Sequence, residues 1–252
     1  MYSRRSTIAH ASKLICSLCA DSVIGQTLPS SASLGNKKLL TPAPACGFNR
    51  SNLSDATKLT LLKRCGVREL DVHIADERRV LDDLFWVKPE FGFYDDASAP
   101  NAIAIRVGDD GAQIGLGLNL LRDEVARHPN GWQSAVLGIL AHEWAHAYQY
   151  STNLVERPHL WETHADYLAG WYLGTKVSMG LYLINIEVFS DRLFRSGNAG
   201  FFDPEKYGSP ITRAAAMRSG FAFGRSGFLY RNKPNLLEAV EAGYKFAYSA
   251  SR

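Results

Sequence analysis

Five consecutive residues, His142-Glu143-Trp144-Ala145-His146, hold the most distinctive chemistry in this sequence. With 7 His and 11 Glu in 252 positions, an H-E-x-x-H arrangement arises by chance about 0.01 times per chain, the product of three residue frequencies and the chain length. Residues four apart on a helix share a face, one turn above the other. Two imidazoles so placed can reach one ion at about 2.0–2.1 Å. Glu143 follows His142 by about 100° of helical rotation. That sets its carboxylate beside such an ion and not on it, where it can take a proton from a metal-held water as general base.

A catalytic zinc needs a third protein ligand and keeps a position open. Downstream lies Trp161-Glu162-Thr163-His164-Ala165-Asp166. Glu162 and Asp166 are again four apart. On a helix packed beside the first, Glu162 can complete the ligand set, and Asp166 can accept a hydrogen bond from the far nitrogen of a ligand histidine. His159 and His164 are the rivals. His159 is expected in the loop at Pro158 and serves only if that loop folds inward; His164 points to another side of the helix from Glu162. A third histidine at the metzincin spacing is excluded, because Thr152 occupies that position.

These residues need elements to hold them. Trp132 to Tyr150 reads as one long amphipathic helix containing the H-E-x-x-H, with Val136, Leu137, Ile139 and Leu140 anchoring its first half. Ser151 to Leu160 reads as a loop, Trp161 to Leu173 as a second helix, and Val177 to Phe194 as a third. Pro210 to Phe221 and Pro234 to Ala247 read as helices opened by proline. Before them, Asn52 to Phe85 looks helical, with a Val67, Leu70, Ile74, Leu81, Leu84 stripe, a cap at Ser54-Asp55, and a stop at Pro89. Phe91 to Tyr94, Ala102 to Arg106 and Ala112 to Leu118 are β-compatible runs. Turn signals at Asp95-Asp96, Pro100-Asn101 and Gly108 to Gly111 separate them. The expected class is α+β: a small, mainly antiparallel sheet beside a helical layer, then a helical C-terminal part.

Composition narrows the function classes. Hydrophobic residues make up 46% and charged residues 21%, which is globular and not disordered. A net charge of +3 is too mild to point to nucleic acid. No run of 18 apolar residues marks a membrane span; Ser178, Asn185 and Glu187 interrupt the nearest candidate. Residues 1–46 differ from the rest: they are rich in Ser, Ala, Thr and Pro, with Asp21 as their one acidic residue. Arg4-Arg5 ahead of Leu14 to Ala20 has the physical ingredients of a weak export signal, and a tail that never folds is the equal alternative. The compartment therefore stays open between export and the cytoplasm, and residues 47–252 are expected to form the working domain. Cys16 and Cys19 make half a zinc motif, which cannot close a tetrahedral site; Cys46 and Cys65 pair if the chain is exported and stay as thiols if not.

The motif residues resemble the gluzincin metallopeptidases, whose zinc helix carries H-E-x-x-H and whose third ligand is a glutamate. The likeness is to the bacterial neutral zinc metallopeptidases and to the soluble catalytic domain of the prenyl-protease and heat-shock protease lineage, and it covers roughly Pro100 to Phe221. Asn101-Ala102-Ile103-Ala104 matches an N-A strand entry. Ile114-Gly115-Leu116-Gly117-Leu118 is similar to the active-site edge strand, with Leu120-Leu121 starting the segment behind it. Gly208-Ser209-Pro210, Arg213 and Gly220 match a later pattern. The resemblance implies a zincin-like fold and one zinc per chain held by His142, His146 and Glu162. It also implies Glu143 as general base and Asp166 as the supporting acid. The transmembrane segments of the prenyl-protease lineage are absent, and Trp144 is unusual inside the motif.

The function so implied is a zinc-dependent metalloendopeptidase whose substrate strand pairs along Ile114 to Leu118 and whose partner is a peptide or protein. A non-catalytic, zinc-stabilised binding or chaperone-like module, and a structural domain whose motif never assembles, are the alternatives. Tyr148, His164, Tyr167 and Arg213 are candidates for stabilising an oxyanion. Core packing, a helix end or a solvated charge is the plainer expectation for each. Trp132, Trp144, Trp161 and Trp171 are expected to fill the core.

Overall fold

A computed structural model of the chain describes residues 59–96, 100–108, 111–152, 158–180, 184–191, 209–231 and 235–250, the side chains of 158 and 227–231 excepted. The order of elements is α1 (Arg68–Phe85), β1 (Glu90–Tyr94), β2 (Ala102–Val107), β3 (Gly111–Gly117), α2 (Leu118–Arg127), α3 (Trp132–Ser151), α4 (Pro158–Ser178), α5 (Pro210–Arg231) and α6 (Leu236–Ala250). Among the described residues the fold is α+β and mostly helical, with one three-stranded sheet. Among the described residues no helix is long and apolar enough to cross a membrane. The N-terminal segment, Cys16, Cys19, Cys46, the Ser54-Asp55 cap, Asp109-Asp110, Gly208 and Pro234 lie outside the described residues.

Of the helix expected over Asn52 to Phe85, the part before residue 59 lies outside the described residues, 59–67 are not helical, and helix starts at Arg68. Gly66 takes a positive φ of 95°, and upstream of it Leu62 makes an isolated bridge to Phe93 of β1. From Arg68 onward the apolar stripe holds: Leu70, Ile74, Leu81 and Phe85 are buried. Cys65, just upstream, is a buried free thiol whose burial pushes its pKa up to about 12.

The sheet is mixed rather than mainly antiparallel. Its order is β1-β3-β2, with β3 parallel to β1 and antiparallel to β2. The expected edge strand, Ile114 to Leu118, is therefore the central one, paired on both sides, and a substrate strand has no free edge there. Its burial agrees: every residue from Gln113 to Gly117 is buried, the pattern of a strand covered on both faces. Leu118 already belongs to α2. That helix opens on Gly117, which has no capping side chain. Asp96 supplies the cap from a distance, its carboxylate accepting from the backbone N–H of Asn119 (2.7 Å), Leu120 (2.9 Å) and Asn101 (3.0 Å).

Helix α3 is not amphipathic. Every residue from Ser134 to Gln149 is buried, so it runs through the core with the sheet on one side and α1, α2 and α4 around it. Trp144 is occupied elsewhere than the H-E-x-x-H histidines: its indole N–H donates to Asp82 of α1 at 2.9 Å and its ring packs on Phe91. Trp132, Trp161 and Trp171 are buried too, as core-filling residues should be. Helix α4 starts earlier than expected, at Pro158, so His159 stands in a first helical turn and not in a loop. The third expected helix is interrupted: α4 ends at Ser178, Gly180 takes a φ of 68°, and helix resumes at 186–191.

Helices α4 and α5 form the most extensive helix pair, and they run parallel. Two glycines on each make this possible. A Cβ at Gly170 or Gly174 would stand 1.9 or 2.1 Å from the carbonyl oxygens of Met217 or Phe221, and one at Gly220 or Gly224 would stand 1.9 or 2.2 Å from those of Tyr167 or Trp171. Small residues four apart let the backbones touch, and Cα–H groups can then face carbonyls directly. A buried cluster ties α4 to α1: Lys176 Nζ lies 2.8 Å from Glu77, which also accepts from the Tyr172 hydroxyl.

Candidate metal centre

The two sequence motifs meet at the contact of α3 with α4. His142 and His146 lie one turn apart on α3, and Glu162 lies in the second turn of α4. All three are buried, and one donor atom from each falls within 4.8 Å of the others. The Nε2 atoms of His142 and His146 are 3.0 Å apart. Glu162 places Oε2 at 3.4 Å from His142 Nε2 and Oε1 at 3.6 Å from His146 Nε2. For a tetrahedral ion with bonds of 2.0–2.1 Å, ligand atoms sit about 3.3 Å from one another. The three separations bracket that value.

Asp166, the second acid of the motif, stands on the far side of His142, with Oδ1 at 2.9 Å from Nδ1. A carboxylate at that nitrogen keeps the proton there and leaves Nε2 to face the cluster. Burial alone would raise the carboxyls of Glu162 and Asp166. The histidines and the Arg213 guanidinium beside them outweigh it and hold both below the usual carboxylate range. Burial drives His146 the other way, down to about 4, so at neutral pH its ring is uncharged and can act as a ligand.

Arg213 is the residue that the expectation of a solvated charge misplaced. It stands in the first turn of α5, where Ser209 Oγ accepts from the backbone N–H of Thr212 at 3.1 Å and Pro210 sets the first helical φ. Its guanidinium grips Asp166 with two N–H groups at 2.6 and 3.1 Å, and lies 3.2 Å from Glu162. A fork so occupied is committed to carboxylates and is not held in reserve for an oxyanion. Counting Glu162 and Asp166 as −2 and Arg213 as +1, the cluster carries a formal −1, so a cation adds no like-charge repulsion there.

Gln149 is the residue that sequence reasoning passed over. Its side chain reaches His146 Nδ1 at 2.7 Å, the Trp161 carbonyl at 3.0 Å and His164 Nδ1 at 2.9 Å. The signal was available: a polar residue three after His146, on the same face of a helix otherwise lined by apolar and aromatic residues. His164 is not a third ligand. Its Nδ1 meets Gln149, its Nε2 meets the Val240 carbonyl at 3.1 Å, and burial lowers its pKa to about 4. Tyr167 packs among Phe223 and Phe246, its hydroxyl pushed up to about 12 by burial, as core packing requires.

Glu143 is buried, in the helix position between the two histidines. The donor set is therefore two imidazoles and a carboxylate, the composition of a three-ligand catalytic zinc site, with a further carboxylate next to it in sequence. No protein-family model matches the chain, and no curated protein or solved structure matches it either.

Proposed function

We propose that this chain is a zinc-dependent metalloendopeptidase of the gluzincin type. The observation that carries the reading is the convergence of His142, His146 and Glu162 at the mutual spacing of ligands on one small cation. The donor set favours zinc over calcium or magnesium, which take oxygen ligands. When bound, zinc supplies the Lewis acidity that polarises a scissile carbonyl and makes water acidic near neutral pH.

The chain's own residues do the rest. His142, His146 and Glu162 hold the ion. Glu143 takes the proton of the attacking water and delivers it to the leaving amine. Asp166 fixes the ring of His142, and Arg213 keeps both carboxylates of α4 ionised in a buried setting. The substrate class is a peptide or protein.

Zinc content and cleavage of a peptide library, measured for the wild type and for Glu143→Gln, test this. The wild type is expected to bind about one zinc and to cleave. The glutamine form keeps the zinc and the fold and loses cleavage by roughly 100-fold or more, the range for removing a general base. A glutamine form as active as the wild type would remove Glu143 from its role. Zinc retention with no cleavage by either form would favour a zinc-stabilised binding module, and no zinc at all would end both readings.

A further inference from the structure

We infer that Gln149 is a positioning residue for His146, itself oriented from the C-terminal helix through His164. The inference builds on the metal-site reading, but its central point, the protonation pattern of His146, holds without a metal.

The argument starts at the one contact with no choice in it. The Gln149 Nε2 atom lies 3.0 Å from the main-chain oxygen of Trp161. A carbonyl only accepts, so this end of the amide is the NH2. Its second N–H points at His164 Nδ1, 2.9 Å away. The amide oxygen is then the atom facing His146 Nδ1 at 2.7 Å. An amide oxygen only accepts, so the His146 proton sits on Nδ1 and its Nε2 presents a lone pair towards His142 and Glu162.

The same reasoning runs outward. His164 Nδ1 accepts from Gln149, so its proton is on Nε2, which lies 3.1 Å from the Val240 carbonyl of α6. Donor and acceptor match at each link from Val240 through His164 and Gln149 to His146. Helix α6 fits closely over this relay: a Cβ at Gly243 would stand 2.9 Å from the His164 ring. His142 has its orienting carboxylate in Asp166. Among the described residues His146 meets no carboxylate at Nδ1, and a neutral amide held by three partners takes that place.

The test uses the full chain, labelled with 15N and stripped of metal by a chelator. Imidazole nitrogen shifts of His146 report which nitrogen carries the proton. The wild type is expected to show Nδ1–H. Gln149→Leu should lose that preference, and Gln149→Glu should recover it as the neutral acid, whose O–H can donate to the Trp161 carbonyl while its C=O accepts from His146 Nδ1. Zinc affinity by chelator competition should weaken 10–100-fold in the leucine form and return to within a few-fold of wild type in the glutamate form. A purely structural role would give no such rescue. A wild-type His146 protonated on Nε2 overturns the inference, and so does a leucine form equal to wild type in both readouts. If the leucine form does not fold, the wild-type shifts decide alone. If the wild type binds no zinc, the metal reading falls while the nitrogen shifts still judge Gln149.

Discussion

Arg213 balances two carboxylates that answer to different partners. Asp166 has His142 and the guanidinium fork, while Glu162 has the edge of the same guanidinium and the cluster of lone pairs. Replacing Arg213 by Met strands both acids in the interior, and breaking a buried pair from one side costs about 3–5 kcal/mol. The metal-free form should therefore melt well below the wild type. Added zinc should recover part of the loss, because a dication at Glu162 replaces some of the missing charge but none of the fork on Asp166. Thermal melts of both proteins, with chelator and with zinc, check this; an Arg213→Met form as stable as wild type under chelation would show that the fork contributes nothing. Arg213→Lys should fall between, since an ammonium keeps the charge and loses the two-pronged geometry. At this scale much of the site was legible in the sequence, because i,i+4 spacing alone puts His142 with His146 and Glu162 with Asp166 on common faces. The place of Arg213 between Glu162 and Asp166 was not. Arg213 comes from 47 residues beyond Asp166, and no local period predicts which helix will bring it back.

The parallel pair of α4 and α5 is the element on which that return depends. Its four glycines allow backbone contact, and the contact puts Arg213 within reach of α4. Gly170→Ala forces a methyl to 1.9 Å from the Met217 carbonyl, which is backbone and cannot swing aside. The helices must separate, at a cost in the upper part of the ~1–3 kcal/mol typical of overpacking or beyond it. Zinc affinity should fall with stability as Arg213 is drawn away from Glu162. Gly180→Ala is the control: that residue has a φ of 68° and nothing within 4 Å, so it loses only the ~1–2 kcal/mol of left-handed backbone strain and should bind zinc as the wild type does. Equal zinc affinity in both variants would show that the close approach is not what positions the guanidinium. The elements themselves were partly readable. The strand segments and the helix α3 that carries His142 and His146 lie close to their expected places because turn residues and apolar runs are local signals. The central place of β3 was not readable, since five consecutive buried residues, Gln113 to Gly117, record partners on both sides that a single strand's pattern cannot name. Nor were the glycines of α4 and α5, which read alone as weak points in helices and declare themselves only as a pair.

Across the whole molecule, acid acts on the buried titratable groups mostly in one direction. His146 and His164 have folded pKa values of about 4, against roughly 6.5 for an unfolded histidine, and His73 is lowered by burial as well. For such a group the unfolded chain binds the proton first. Its stabilising contribution is complete above the unfolded value and drains away as pH falls from about 6.5 to about 4. Glu162 and Asp166, also lowered, add to the loss at more acid pH, where the unfolded chain takes up their protons first. Asp82 and Asp96, raised by burial, oppose it, because the folded chain takes up their protons before the unfolded one does. The metal-free chain should thus lose stability as pH falls below about 6.5, with the buried histidines leading the loss. If zinc is held as proposed, it should raise this curve and steepen its acid side, because protons would compete with the ion for His142 and His146. At pH 7.5 the zinc-loaded protein should unfold at clearly higher denaturant concentration than the chelated one, by RT ln(1 + [Zn]/Kd). Near pH 5 the two midpoints should converge. Urea unfolding from pH 4 to 8, with zinc and with chelator, measures both curves. A chelated protein that gains stability on acidification would contradict the burial of neutral histidines, and a gap that persists undiminished at pH 5 would mean that the ion is not held by imidazoles.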